Sequence, residues 1–158
     1  VLGDFLDEAM DASEEDKERA AKLAFAVLLL TPGPVLFGEG DEYLRRRYKE
    51  NPYDGPASAV ALHWEELLAK KSLSNYVKDL IELRHKTDLY KHEILGEEAG
   101  FILIKNEGRI LAINGTDEAK EIKGLEEREY KITFGEKGKT DEALQEPVVP
   151  PKSFIVIE

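Results

Sequence analysis

Apolar positions recur with helical spacing through the first ninety residues or so and with strand spacing after Gly100. Leu2, Phe5, Leu6 and Ala9 fall on one face of a short helix, and Asp4, Asp7, Glu8 and Asp11 form an acidic face expected simply to be solvated. Ser13, followed by Glu14, Glu15 and Asp16, sets a capping hydroxyl and three carboxylates at the positive end of a helix dipole; it predicts a helix to about Leu30. The second half of that helix, Leu23 to Leu30, is apolar all round and is expected to need more covering protein than a two-layer fold of this size supplies. A Pro/Gly break then leads into Val35, Leu36 and Phe37, bounded by Gly33, Pro34 and Gly38, which predict a short buried strand. Leu62, Trp64, Leu67 and Leu68 predict a short helix. Leu73, Val77, Leu80 and Ile81 predict a longer one that starts at Ser72 or Ser74.

After Gly100 the runs FILIK, RILAIN, REYKITF and SFIVIE alternate with NEG, NGTDE, GEKGK and PVVPP, the pattern of an antiparallel β domain. Asn106 to Gly108 reads as the turn of a hairpin between Phe101–Lys105 and Arg109–Asn114.

Composition narrows the function. A chain of 158 residues with 42% hydrophobic residues can build one sizeable core or two small ones, and no apolar run approaches the ~20 residues of a membrane span. The net charge of −11 repels phosphate backbones and anionic lipid, so neither nucleic acid nor membrane is expected as a partner, and a neutral substrate fits better. Cysteine is absent; one Met, one Gln and four Asn beside 35% charged residues match the composition of thermophile proteins. The N-terminus has no basic, signal-like segment and no initiator Met, and reads as the interior of a longer polypeptide.

Candidate chemistry concentrates just past the predicted strand, where ligands meet α/β folds, and makes Glu39, Asp41, Glu42 and Arg45 the first residues to weigh. Asp41 and Glu42 could be paired catalytic carboxylates or structural acceptors; adjacency alone does not set the separation that glycosidase chemistry needs, which favours the structural role. Arg45, Arg46, Arg47 and Lys49 follow these acids and are expected to make internal ion pairs. The loop KENPYDGPAS is too rich in Pro and Gly for regular structure and offers Asn51, Tyr53 and Asp54 for hydrogen bonding. Trp64 could stack on a sugar or serve as a core aromatic, the commoner case. His85 and His92 match no metal-ligand spacing, and no nucleophile elbow, phosphate loop or dinucleotide fingerprint is present, so neither metal nor cofactor is expected.

Together these segments resemble the C-terminal part of the α-amylase family of glycoside hydrolases, and within it the pullulanases and related α-glucan debranching enzymes. Gly33, Gly40, Glu42, Leu44 and Arg45 match the family's eighth barrel strand, with Tyr43 in place of Phe. Asn51, Tyr53, Pro56 and Ser58 align with the loop that follows, Trp64 with a Trp beyond it, and Tyr76, Leu80, Ile81, Leu83 and Arg84 with the family's next helix. VVPPKSFIVIE is similar to the end of the family's closing β domain. The chain departs from the pattern at Pro34–Val35, which are swapped, and at Val60 and His63, which stand where pullulanases commonly have Asn and Asp.

The resemblance implies an α/β barrel fragment, the last strand and flanking helices of a TIM-type barrel, over residues 1–93. An antiparallel all-β, sandwich-like domain follows over residues 94–158. It further implies hydrolysis of α-glucans, at α-1,6 branches, by a retaining two-carboxylate mechanism whose carboxylates lie upstream of Val1. This chain alone would then be inactive and would need the N-terminal remainder of the enzyme as its partner. Glu42 and Arg45 would shape the floor of a cleft for an α-glucan oligosaccharide or polysaccharide, and Asn51 and Tyr53 would touch glucose units. The alternative is a non-catalytic carbohydrate-binding or interaction module derived from the same region.

Overall fold

The computed structural model describes residues 1–47 and 53–158. Among these residues five α-helices precede eight strands: α1 (Leu2–Ala9), α2 (Glu14–Leu30), α3 (Ala57–Val60), α4 (Trp64–Ala69) and α5 (Lys71–His85), then β1 (His92–Glu98), β2 (Phe101–Asn106), β3 (Arg109–Asn114), β4 (Lys120–Glu121), β5 (Lys131–Gly135), β6 (Gly138–Ala143), β7 (Val148–Val149) and β8 (Ser153–Ile157). Six strands form one sheet in the order β1-β2-β3-β8-β5-β6, and β4 and β7 form a separate ribbon. Every pairing is antiparallel. The expected hairpin turns on Glu107 and Gly108, both at positive φ (43° and 93°), the backbone that tight two-residue hairpins require.

The apolar runs are continuous because both faces of the sheet are covered. Ile104, Leu111, Ile113, Phe134, Phe154 and Val156 face Phe25, Leu29, Leu73, Val77 and Leu80 of α2 and α5. The alternate residues Phe101, Leu103, Ile110, Ala112, Ile155 and Ile157 face Ile122, Tyr130 and Val149 on the ribbon side. Tyr76 fastens α5 to the sheet: its hydroxyl donates to Gly135 O at 3.1 Å, and its ring meets Phe134 edge-on with centroids 5.4 Å apart.

Helix α2 starts as its sequence predicts, with Ser13 Oγ accepting from the Asp16 amide at 3.1 Å. Its apolar second half is one-sided in this chain. Ala21, Phe25, Ala26, Leu29 and Leu30 are buried, while Ala24 and Val27 lie open to solvent, Val27 at 40% exposure.

Residues 35–37 correct an expectation: they pair with no strand among the described residues. The alternation of an extended segment is still there, since Val35 and Phe37 pack inward, Phe37 edge-on to Phe25 at 5.5 Å, and Leu36 is 92% exposed. A strand exists only as part of a ladder, and the sheet that this chain builds lies elsewhere.

No basic residue stands in the last turn of α2, so its final carbonyls are satisfied from another helix. Arg84 of α5 donates through Nη1 to Leu29 O (2.6 Å) and Thr31 O (3.0 Å), and through Nη2 to Gly33 O (2.6 Å). One guanidinium thereby fixes both the helix end and the exit toward residues 35–47. Arg84→Met should cost about 2–3 kcal/mol, because three carbonyls lose a charged donor; thermal unfolding should move down by about 5–10 °C for a chain of this size. Arg84→Lys should recover only part of that, and an unchanged midpoint in Arg84→Met would show that water serves these carbonyls equally well.

Candidate functional site

The site candidates sit on a turn that the local sequence makes very tight. Gly40, at φ 89°, starts one 3-10 turn over Asp41–Tyr43, and Leu44 leaves it at φ 56°. Arg45 N returns to Gly40 O at 3.0 Å and closes the turn. A side chain at Gly40 would meet Arg45 Cδ at 2.7 Å, so glycine is required for space as well as for φ.

Asp41 holds this turn in place. Its Oδ2 accepts from the Gly38 amide and its Oδ1 from the Leu2 amide at the start of α1, each at 2.7 Å. With both oxygens taken by backbone amides, Asp41 is a structural acceptor. Glu42 is half-buried; its Oε2 accepts from Gly40 N at 3.0 Å, and Oε1 has no hydrogen-bond partner among the described residues.

Arg45 is 0% exposed and lies beneath the turn. Its Nη2 donates to Val60 O and, at 2.8 Å, to Ala61 O, tying the turn to the end of α3. Nη1 lies 3.9 Å from Glu39 Oε2, and among the described residues neither Nε nor Nη1 has a hydrogen-bond partner. Arg45 thus supports the surface from below. Tyr43 is also buried, and burial pushes its phenol pKa up.

Helix α1 corrects the expectation that its acidic face is only solvated. Both oxygens of Asp4 accept from the Arg47 amide at 3.1 Å. Asp7 takes a bidentate contact from Arg46 (2.6 and 3.0 Å), and Arg46 also reaches both oxygens of Glu14 (2.8 and 3.0 Å). Gly3 lets the backbones touch, since a Cβ there would lie 2.5 Å from Arg45 O. The expected ion pairing of the basic run occurs at Arg46, with acids of α1 and α2, while Arg45 comes no nearer to a carboxylate of the described residues than 3.9 Å, at Glu39, and Arg47 meets Asp4 through its backbone amide. The signal was present in the sequence as acids one helical turn apart, but their partners lie 39 and 43 residues away.

Tyr53 precedes α3 and is 94% exposed. Trp64 opens α4 at 66% exposure, so it is a surface aromatic and not a core one. Asn51 and Lys49 lie outside the described residues. Glu42 and Arg45 share one turn, and Arg45 links that turn to the segment beginning at Tyr53. Among the described residues no group of three or more His, Cys, Asp or Glu could hold a metal ion. The surface presents acceptors, donors and aromatic faces, the groups of recognition.

No protein-family model matches the sequence. The fold, in contrast, matches solved pullulanases. A pullulanase from Bacillus acidopullulyticus superposes with a TM-score of 0.83 at 18% identity over 99% of this chain and 22% of that one. Pullulanase type I from Bacillus subtilis str. 168, complexed with maltose, gives 0.79 at 19% identity over 93% of this chain and 24% of that one. The pullulanase from Anoxybacillus sp. LM18-11, complexed with maltotriose, gives 0.77 at 17% identity over 99% and 25%. The chain, a mostly antiparallel sheet with a few helices, has the fold of the C-terminal part of pullulanases and spans about a quarter of the length of these structures.

The Arg46 clasp makes stability depend on acid. The hydrogen bonds from Arg46 are the largest cause holding the Asp7 and Glu14 carboxyls below their ordinary values of 3.8 and 4.5. A carboxylate with a depressed folded pKa binds fewer protons folded than unfolded, so its contribution is complete above about pH 5 and is lost as pH falls through the folded values. Arg46→Met should therefore lower the unfolding midpoint at pH 7 and flatten its fall in acid. The wild-type and variant curves should converge toward about pH 2. Parallel curves down to that pH would remove the clasp from the stability of the fold.

Proposed function

We propose that this chain is the C-terminal portion of a glycoside hydrolase acting on α-glucans, of the pullulanase type, which cleaves α-1,6 branches by a retaining double displacement between two carboxylates. The observation that carries the proposal is the fold likeness to pullulanases over 93–99% of the chain. Residues 1–93 would form the last strand and flanking helices of a (β/α) barrel, and residues 94–158 its C-terminal β domain. The unpaired segment at residues 35–37 supports this, because a barrel strand finds its ladder partners in neighbouring strands of the barrel. The open side of α2 supports it for the same reason.

In this reading the catalytic carboxylates belong to the preceding polypeptide, and this chain supplies one wall of the cleft. Glu42 offers a free oxygen to sugar hydroxyls. Arg45 holds the floor, and Asn51 and Tyr53 meet glucose units by hydrogen bonding and stacking. Maltose and maltotriose, present in the complexes of two of the similar pullulanases, are the chemistry such a wall would receive.

Reducing-sugar release from pullulan separates the outcomes, measured with this chain alone and with the polypeptide that precedes it added. Activity only in the mixture is expected. Activity from the 158 residues alone would overturn the upstream placement of the carboxylates, and silence in both would favour a binding module. In the active mixture, Tyr53→Ala should lower kcat/KM about tenfold, the scale of one stacking contact of about 1–2 kcal/mol. Unchanged kinetics would remove Tyr53 from the cleft.

A further inference from the structure

On the ribbon side of the sheet, opposite the helices, a cavity of about 940 Å³ opens between residues 121–131 and 143–147. That volume falls in the range of small-molecule sites, about 300–1,000 Å³. Its floor is apolar, with Ile122 buried and Leu125 and Leu144 half-buried around Tyr130. The walls are tied in place by the backbone. Ile122 N donates to Pro147 O at 2.7 Å and Leu144 N to Tyr130 O at 2.8 Å, while the Tyr130 hydroxyl accepts from Glu126 N at 3.2 Å.

The rim is distinctive in its cations. Arg128 lies over the Tyr130 ring with its guanidinium carbon 4.4 Å from the centroid, and among the described residues it makes no ion pair with a carboxylate. The contact, with a hydrogen bond to Tyr130, holds the guanidinium against the ring, and its exposure leaves further donors of this five-donor group facing solvent. Glu121, Glu126, Glu129 and Glu158 line the same cavity beside Lys123 and Lys131, so a phosphate or other anion would meet four carboxylates. A purely apolar ligand would strip water from all of these charges with nothing in return. A pyranose satisfies both parts, its C–H face on the apolar floor and its vicinal hydroxyls between the guanidinium edge and the carboxylates.

We infer that this cavity is a second glucan-binding site, which takes a short neutral α-glucan oligosaccharide on the Tyr130–Arg128 platform. The choice of an α-glucan over other sugars rests on the pullulanase-type reading above. The site's place on the far face of the sheet from residues 38–47 and 53–64 would let the β domain hold one stretch of a polysaccharide while the helical side meets another. Two linked contacts of that kind raise avidity through effective concentration.

Amide chemical-shift titration of the 158-residue chain with maltotriose tests this. Saturable shifts centred on residues 122–130 and 143–147 are expected. Arg128→Ala should weaken the dissociation constant about tenfold or more. Ala143→Trp, which adds bulk at an exposed position on the cavity wall, should abolish binding there. The absence of saturable shifts up to about 10 mM sugar, the weak limit of a specific site, would overturn the inference. So would binding that both variants leave intact. Shifts confined to residues 53–64 would also overturn it while favouring the proposed cleft wall, and pullulan hydrolysis in the mixture stands or falls separately.

Discussion

One carboxylate, that of Asp41, joins two backbone amides that are remote in sequence, Gly38 just before it and Leu2 at the start of the first helix. An ionised acceptor shared by two amides in a partly buried place is worth more than two neutral hydrogen bonds, because charge-assisted bonds are roughly twice as strong. The neighbouring groups are built on it. Gly3 can bring α1 against the carbonyls of Leu44 and Arg45 only because the helix start is held there, and Asp4 and Asp7 then fall opposite the Arg47 amide and the Arg46 guanidinium. Arg45 points inward from the same turn and carries its constraint on to Val60 and Ala61. A single local geometry thus sets the relation between the turn that bears Glu42 and the segment that bears Tyr53.

The two halves of the chain share a core, and this gives the turn a rigid base. Helices α2 and α5 cover one face of the sheet, while the ribbon and residues 122–130 cover the other. With both faces buried, the central strands β2, β3 and β8 have no solvent side, whereas the edges are managed by charge, as in the Lys, Asp and Glu of β6. The open positions of the helical side, Val27, Leu36, Trp64 and Leu68 among them, are where the fold departs from a fully covered body. The proposed barrel would cover them.

Much of this was legible from residue order. The capping Ser13, the strands FILIK and RILAIN and the Glu107–Gly108 turn follow from local chemistry, and the structure has them where the pattern puts them. Strands β1 and β6 were not legible, because HEILGEE and GKTDEA are edge sequences whose charged residues hide the period of two. The central place of β8, last in the chain yet between β3 and β5, is a property of topology that no local pattern encodes. At the candidate site the concentration of acids and Arg45 past residue 38 was legible, but the tight 3-10 turn that Gly40 starts was not. Nor were the roles of Asp4, Asp7 and Arg45, since an acid on an amphipathic helix looks solvated until its distant partner is known, and an Arg expected to pair with neighbouring acids turns out to hold backbone carbonyls instead. Trp64 failed for the opposite reason, a large aromatic that the fold leaves at the surface.

The central physical claim is that Asp41 fixes the turn over residues 40–45 and, through it, the segment leading to α4. Amide hydrogen exchange on the wild type and Asp41→Ala tests it directly. Protection should fall at Leu2 and Gly38, which lose their acceptor, and also at Arg45, whose amide closes the turn on Gly40 O, by about tenfold or more. Strands β2, β3 and β8 should keep theirs. Loss confined to Leu2 and Gly38, with Arg45 still protected, would contradict the account and show that the turn stands without the clasp.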